Sequence, residues 1–374
     1  MVKNFLLVTA SIGSGHEKAA MAIAQGIKEK YPQGNINIVD FMRWDISLVN
    51  AIMKACYLKM LVLVPNLYEF MYQFTAGKKK GGFIQMIMAQ AMSRSIKRLI
   101  RRYEPDVIIC THPFPAEAVS HLGADWRKSF ASAAVITDYS VHQMWICHNL
   151  NQYFVATESM KQQLITDGIR EEIIQVTGIP VSPVFHQKLD KSSCRQKLAL
   201  GDDKPVVVMM GGGLGLGGMN QALSQLEDIG LDIQLVVIAG RNRELYQQAQ
   251  IMAGHSHHSI QVLGYTNEIR EIMTAADLLI TKPGALTLTE ALYLHLPMVL
   301  HEPIPGPETD NARYMAGCGA AVWLHSGDNL ACIVQGLLQQ PEKLQEMSQN
   351  AQVAAQHIPV EEIIKNISTI CPNT

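Results

Sequence analysis

Apolar residues are grouped along this chain in short, largely β-branched runs. Each run is followed by a longer stretch in which they recur every three or four positions. In the first half the runs fall at 4–10 (NFLLVTA), 36–40 (INIVD), 106–110 (DVIIC), 133–137 (AAVIT) and 153–157 (YFVAT). In the second half they fall at 205–210 (PVVVMM), 233–240 (IQLVVIAG), 260–264 (IQVLG), 277–281 (DLLIT) and 297–301 (PMVLH). Runs without a polar alternate face predict strands buried on both sides, and therefore parallel sheets covered by helices. The rhythm restarts at DDKPVVVMMGGG, after the polar stretch HQKLDKSSCRQKLALGDDK, which places a linker around 182–204. Two Rossmann-like α/β domains are expected, 1–185 and 186–374. Sheets of this kind bind ligands beyond the carboxyl ends of their strands, so the chemistry should directly follow the runs.

Composition narrows the class. The 374 residues are 48% hydrophobic and 17% charged with a net charge of −2, which fits a packed globular chain and excludes a global field that recruits nucleic acid. The seven cysteines (Cys56, Cys110, Cys147, Cys194, Cys318, Cys332 and Cys371) are scattered without C-x-x-C spacing, so a reducing, cytosolic compartment is expected, with neither disulfide framework nor zinc site. The N-terminus has no signal-peptide pattern, and no apolar run approaches the ~20 residues of a membrane span. The expectation is a soluble chain, or one that lies on a membrane.

One segment departs from the rhythm. Between Glu69 and Glu104 there is no acidic residue, while Lys78, Lys79, Lys80, Arg94, Lys97, Arg98, Arg101 and Arg102 all fall there. Arg94, Lys97, Arg98 and Arg101 are spaced to form one stripe of a helix, beside an apolar stripe of Ile84, Met88, Met92, Ile96 and Leu99. Two readings fit the pattern: docking on an anionic membrane surface, or an ordinary amphipathic helix with a solvated basic face.

Four motifs carry candidate chemistry. TASIGSGHEKAA (9–20) joins the first strand to a helix with Gly13 and Gly15 in the turn and His16 at the helix mouth. MMGGGLGLGG (209–218) is a second glycine turn whose backbone N–H groups suit a phosphate. Neither makes a nicotinamide site: Lys18 stands where the third glycine belongs in the first, and Arg241 stands where the second would need an acid. LLITKPGALTLTEAL (278–292) is more specific. After Lys282 and Pro283 the turn is Gly284–Ala285, and a helix expected from about Thr287 would offer its N–H groups and the Thr287 and Thr289 hydroxyls to a diphosphate. Glu290, expected in the first turn, would accept from ribose hydroxyls or cap its own helix. In HEPIPGPETDNARYM (301–315), Glu308 and Asn311 share a helix face and could read a sugar.

These motifs, with GRN (240–242) and GY (264–265), resemble in order and spacing the family 28 glycosyltransferases, and within them the diacylglycerol glycosyltransferases: bacterial processive glucosyltransferases and plant monogalactosyldiacylglycerol synthases. ASIGSGHEKAA, THPFPAEAV (111–119), TDYSVHQMW (137–145), YFVATESMKQQLITDGI and VTGIPVSPVF (176–185) are similar to the N-terminal domain of that family. The resemblance implies a GT-B fold of two Rossmann-like domains, the last helix packing back on the first domain. A UDP-hexose (UDP-glucose or UDP-galactose) would be bound by the second domain and diacylglycerol by the first. The implied reaction is inverting hexosyl transfer at the inner face of the cell membrane, with no cofactor and no catalytic metal. Residue by residue it implies Gly211, Gly212 and Gly213 along the diphosphate, and Arg241, Asn242 and Tyr265 around the nucleoside. Lys282, Gly284, Ala285 and Thr287 would lie at the phosphates, Glu290 at the ribose, and Glu308 and Asn311 at the hexose. Two positions depart from the family. Ala285 replaces a glycine, so a positive φ there would be strained, and Pro307 replaces a glutamine, which leaves the choice of sugar open.

His16 is then the candidate general base, kept neutral by the positive end of its helix, with Gly13 and Gly15 letting the acceptor approach. The bland alternative is a cap or a plain substrate contact. Asp138 is either the rival base or the group that orients His16. His142 and Trp145 would shape the acceptor pocket, unless Trp145 is core; His112 has a strand-end position without a specific role. HSHHS (255–259) looks like a metal tract and is expected to be an inert surface loop. A UDP-sugar 2-epimerase and a non-catalytic UDP-sugar sensor remain as other functions, and the oligomeric state is open.

Overall fold

The computed structural model describes residues 3–10, 15–44, 82–211, 219–301 and 306–370. Gly13, Gly212, Gly213, Lys78, Lys79 and Lys80 lie outside the described residues, as do the side chains of Ile84 and Met88. The chain divides into two compact units. One comprises the chain up to Pro183, the short piece Pro305–Pro307 and the chain again from His357; the other comprises Val184–Ile304 and Glu308–Gln356.

The first unit is built on a parallel sheet of six strands: β1 (Asn4–Thr9), β2 (Asn35–Asp40), β3 (Val107–Cys110), β4 (Ala131–Val135), β5 (Gln152–Val155) and β6 (Ile174–Val176), in the order β2-β1-β3-β4-β5-β6. The second repeats the plan with β7 (Val206–Met210), β8 (Gln234–Gly240), β9 (Ser259–Gly264), β10 (Leu278–Thr281), β11 (Met298–Leu300) and β12 (Ala321–Trp323), in the order β12-β11-β10-β7-β8-β9. All ten runs read from the sequence contain a strand. β6 and β12 escape that reading because each is a three-residue edge strand, half-buried at two of its three positions. Both sheets reverse strand order once, between β1 and β3 and between β7 and β10. That switch point is where parallel α/β sheets open a crevice for ligands.

Seven helices matter below: α1 (Gly15–Lys30), α2 (Gly82–Tyr103), α3 (Pro113–Ser120), α4 (Arg243–Ala253), α5 (Ala285–Tyr293), α6 (Pro307–Gly317) and α7 (Pro359–Ile370). Central strands such as β1, β3 and β7 are buried along nearly their whole length. Each fully buried Val, Leu or Ile there contributes about 1.5–3 kcal/mol. The terminal helix α7 belongs to the first unit and packs on α1. Gly26 permits the approach, since a Cβ there would lie 2.3 Å from Val360 Cγ1 and 2.5 Å from Ile364 Cδ1.

One expectation about local structure needs correction. The stretch read as a linker contains a helix, Lys191–Lys197, that is tied into the second unit. Lys191 and Arg195 both pair with Asp277, whose Oδ2 also accepts the Val206 N–H at the start of β7. Its polarity reflects ion pairing, not detachment. In α2, Met92, Ile96 and Leu99 are core residues of the first unit. The described part of the apolar stripe therefore faces protein, while Arg94, Arg98 and Arg101 of the basic stripe are exposed.

Candidate active site

In the first unit the switch-point crevice is floored by the residues that follow β1, β3 and β4. Thr111 follows β3, its N–H donating to Val8 O in the neighbouring β1 at 3.1 Å. The Thr111 hydroxyl donates to the His16 carbonyl at 3.0 Å, and the Thr111 carbonyl lies 2.9 Å from His16 Nδ1. A carbonyl only accepts, so Nδ1 carries the ring proton, and Thr137 Oγ1, 2.6 Å from the same nitrogen, is its second partner. The basic lone pair is thereby placed on Nε2. Burial pushes the His16 pKa down to about 4, opposed only in part by the hydrogen bond to Thr111, so the ring is neutral at pH 7. Desolvation by burial thus favours the neutral ring that a general base requires.

His112, the next residue after Thr111, packs its ring edge-on to His16 with centroids 4.7 Å apart. It is the N-cap of α3: the Phe114 N–H donates to His112 Nδ1 at 3.2 Å. Burial, and next the neighbouring His16, hold its pKa well below the ordinary value. Asp138 is half-buried one residue beyond Thr137. The residues brought against His16 are thus Thr111, His112 and Thr137. The first and last escaped the sequence reading because a hydroxyl at a strand end has no pattern of its own. The signal available was that all three follow strands on the β3 side of β1.

Two acceptor-side candidates have structural employment. His142 caps the short turn Gln143–Trp145, accepting from Met144 N–H at 3.3 Å. Trp145 is only 3% exposed, and its carbonyl accepts from the buried Tyr153 hydroxyl. Its side chain is core and does not line an acceptor surface.

The basic stripe of α2 is exposed at Arg94, Arg98 and Arg101 and half-buried at Lys97. Lys97 and Arg101 lie 5.8 and 5.3 Å from the centroid of the Trp126 ring, which stands on the neighbouring helical turn Ala124–Arg127.

In the second unit the corresponding crevice lies after β7 and β10. Gly211 is buried directly after β7. The Thr281 hydroxyl donates to Met210 O at 2.9 Å, which fastens the two strand ends, and the buried Lys282 follows. Gly284 is the N-cap of α5 with φ −70° and ψ 120°, and, among the described residues, no side chain caps this helix. Uncapped N–H groups at the positive end of a helix dipole form a site for an anion such as a diphosphate.

Helix α5 begins at Ala285, two residues earlier than expected, so Ala285 is an ordinary helical residue without positive φ. Glu290 consequently lies in the second turn and is buried. Thr287 is half-buried near the start of α5, and the hydroxyl of the buried Thr289 donates to Ala285 O at 2.7 Å. Pro307 is the first residue of α6, a position where its fixed φ and missing N–H cost little. Glu308 is half-buried on the first turn of α6. Asn311, read as a sugar ligand, is fully buried and donates to Pro283 O at 3.1 Å. Its amide braces the turn that precedes α5.

The third group forms an open pocket of about 470 Å³, lined by Gly240, Arg241, Asn242, Tyr246 and Gly264 among others. Asn242 caps α4 through Leu245 N–H, leaving the Arg241 guanidinium 5.5 Å from the centroid of the exposed Tyr265 ring. A flat cation and an aromatic face beside a glycine-walled pocket suit a planar heterocycle. The histidine tract is a surface loop with one buried ring, that of His258. His258 is buried against Leu226 O and His257 lies 3.3 Å from Ile229 O, so the rings fasten the end of the helix Met219–Leu226. Among the described residues no cluster of His, Cys, Asp and Glu could hold a metal ion. Nor, among them, is any helix long and apolar enough to cross a membrane.

Comparison with known proteins covers both units. Residues 16–181 match the profile of monogalactosyldiacylglycerol (MGDG) synthase, and residues 206–367 match that of the glycosyltransferase family 28 C-terminal domain. The processive diacylglycerol beta-glucosyltransferase of Bacillus pumilus is 31% identical over 350 residues, 93% of this chain and 90% of the relative. The protein of the same name from Bacillus cereus is 30% identical over 369 residues, 98% of this chain and 94% of the relative. Among solved structures, MurG of Acinetobacter baumannii has a TM-score of 0.66 at 16% identity, covering 98% of this chain and 99% of its own. A UDP-GlcNAc 2-epimerase from Neisseria meningitidis reaches 0.60 at 14% identity, covering 98% and 100%. The fold is that of the GT-B glycosyltransferases, and the fold alone is common to transferases and epimerases.

Proposed function

The chain belongs to the diacylglycerol glycosyltransferase family, and on that premise we propose that it transfers a hexose from a UDP-sugar to diacylglycerol, or to a glycosyl-diacylglycerol, with inversion at the anomeric carbon. The observation that carries the reading is the state of His16: a neutral ring whose Nδ1 proton is engaged by Thr111 and Thr137, so that Nε2 is basic. In the proposed reaction Nε2 takes the proton of the acceptor hydroxyl as its oxygen bonds to the anomeric carbon. The bond from that carbon to the diphosphate breaks on the opposite face, and UDP leaves with the electron pair. Its charge is met by the N–H groups that open α5 and by the backbone at Gly211. The pocket around Arg241 and Tyr265 takes the nucleobase, and the carboxylates of Glu290 and Glu308 serve the ribose and the hexose. No metal is assigned a part.

An acceptor with two acyl chains stays in its bilayer, so the reading also places the enzyme on the inner leaflet. The basic stripe of α2 with Trp126 is the proposed contact, since clustered Lys and Arg are attracted to anionic headgroups by about 1 kcal/mol each near the surface. Replacing Arg94, Lys97, Arg98 and Arg101 together by Ser should release the protein from anionic vesicles while leaving UDP affinity intact. Unchanged vesicle binding removes this contact from the proposal.

The deciding experiment is turnover of UDP-glucose and of UDP-galactose by purified protein, with and without diacylglycerol in anionic vesicles. Glycolipid formed only with diacylglycerol, its β-linkage read by NMR, supports the transferase and names the sugar. Isomerised sugar nucleotide without any acceptor would replace it by the epimerase that shares this fold, and UDP-sugar binding without turnover would leave a sensor.

A further inference from the structure

His112 is the remaining histidine of the first crevice, and its surroundings fix its proton as firmly as those of His16. The Phe114 N–H donates to Nδ1, so Nδ1 must hold a lone pair and the neutral ring must carry its proton on Nε2. Its neighbour His16 is in the opposite state, with the proton on Nδ1 and the lone pair on Nε2. Among the described residues, no hydrogen bond engages Nε2 of either ring. Two packed imidazoles, 4.7 Å apart, therefore hold one acceptor and one donor, each imposed by a backbone group at the end of β3 or the start of α3.

A helix cap alone does not require this residue. Asn, Asp or Ser would accept the same N–H with a smaller side chain and none of the cost of burying an imidazole. A hydroxyl has complementary needs, since it donates one proton and accepts at its oxygen. Next to a base, a neutral donor directed at that oxygen orients the nucleophile without adding positive charge that would oppose loss of its proton.

We infer that His112 is a second substrate-contacting histidine, whose Nε2–H donates to the acceptor hydroxyl while His16 Nε2 receives the proton of that hydroxyl. The assignment rests on the transferase reading above and adds a residue to it. His112 does not change its own protonation during the reaction. It holds the oxygen in place and leaves that oxygen with its bond to the anomeric carbon once His16 is protonated.

The test separates the donor from the cap. His112→Asn keeps a side-chain oxygen for the Phe114 N–H and removes the Nε2 donor, whereas His112→Ala removes both. If His112 contacts the acceptor, His112→Asn folds with near wild-type thermal stability and binds UDP as before, yet loses at least about tenfold in kcat/KM for the lipid acceptor. His112→Ala loses the same activity and, in addition, stability. Full activity in His112→Asn overturns the assignment and leaves His112 as a cap. A loss of UDP affinity parallel to the loss of activity also overturns it, because the effect would then be general. These outcomes are read against wild-type protein that makes glycolipid; a wild type that makes none fails the transferase reading itself, whatever His112 does.

Discussion

The two units fasten the starts of their central strands in the same way and then diverge where the next helix begins. Asp106 precedes β3 and accepts the Asn4 N–H that opens β1; Asp277 precedes β10 and accepts the Val206 N–H that opens β7. At the other end of these strands the chain reads Thr111-His112-Pro113 in one unit and Thr281-Lys282-Pro283 in the other. The Thr111 hydroxyl ties its strand end to the His16 carbonyl of α1, and the Thr281 hydroxyl ties its own to the Met210 carbonyl at the end of β7. The helices that follow differ. α3 is capped by the His112 ring, while α5 starts at Gly284 with no side-chain cap among the described residues. A capped helix start has little left to offer an anion, whereas an uncapped one is an anion site. On the proposed reading, crevices built on the same strand plan thus serve proton transfer in one unit and charge stabilisation in the other, and the side chain or its absence at the helix mouth decides which.

The largest effect that would break this comparison is loss of the base. His16→Ala should lower glycolipid formation by about 10²–10⁴-fold while leaving UDP affinity unchanged, because the second crevice is untouched. Steady-state turnover with titration calorimetry of UDP checks both halves of the statement. Retention of activity within a few-fold would make His16 a substrate contact and direct attention to Asp138.

Giving the second crevice a cap should have a smaller and opposite pair of effects. Gly284 has cap-like dihedrals, and a Cβ added there would meet no atom within 4 Å, so Gly284→Asp fits without strain. The carboxylate would satisfy the first N–H groups of α5 and stabilise the fold by about 0.5 kcal/mol. It would also compete with and repel the diphosphate, weakening UDP at least about tenfold. A higher melting temperature with weaker UDP binding sharpens the contrast between capped and uncapped crevices. Unchanged UDP affinity would remove α5 from the donor site.

The sheets and the motif positions were legible in the sequence because both depend on local order: apolar runs mark buried parallel strands, and ligand residues follow strand ends. The partners of His16 were not legible. Thr111 and Thr137 lie 95 and 121 residues away from it in the chain, and strand order alone brings them together. Asn311 and Trp145 show the converse. Each stands in a motif that suggests a ligand, and each is buried, the first bracing Pro283 and the second filling the core. Residue type and spacing do not distinguish a polar group aimed at substrate from one that supports the loop behind it. The same holds for Thr289, whose hydroxyl serves its own helix.

The smallest effect expected concerns pH, and it follows from the burial of the first crevice. An imidazole with the ordinary value of 6.5 would be only about one-tenth neutral at pH 5.5, so a base of that kind would lose about tenfold in rate between pH 7.5 and 5.5. His16 is held at about 4, with His112 as the titratable ring packed on it, and stays almost wholly neutral over that range. The kcat/KM profile for the acceptor should therefore be nearly flat from pH 7.5 to 5.5. Stability carries the opposite trend. Both histidines are depressed in the folded chain, so below about pH 6.5 the unfolded chain binds protons that the folded chain does not. Their contribution is complete above 6.5 and is lost as the pH falls towards 4. Denaturant midpoints should fall between pH 7 and 5 while the rate constant holds, and the fall should be smaller in His16→Ala. A rate that declines with an apparent pKa near 6.5 would mean that the ring is solvated when the acceptor arrives, and the crevice would then be no better shielded from water than an exposed surface.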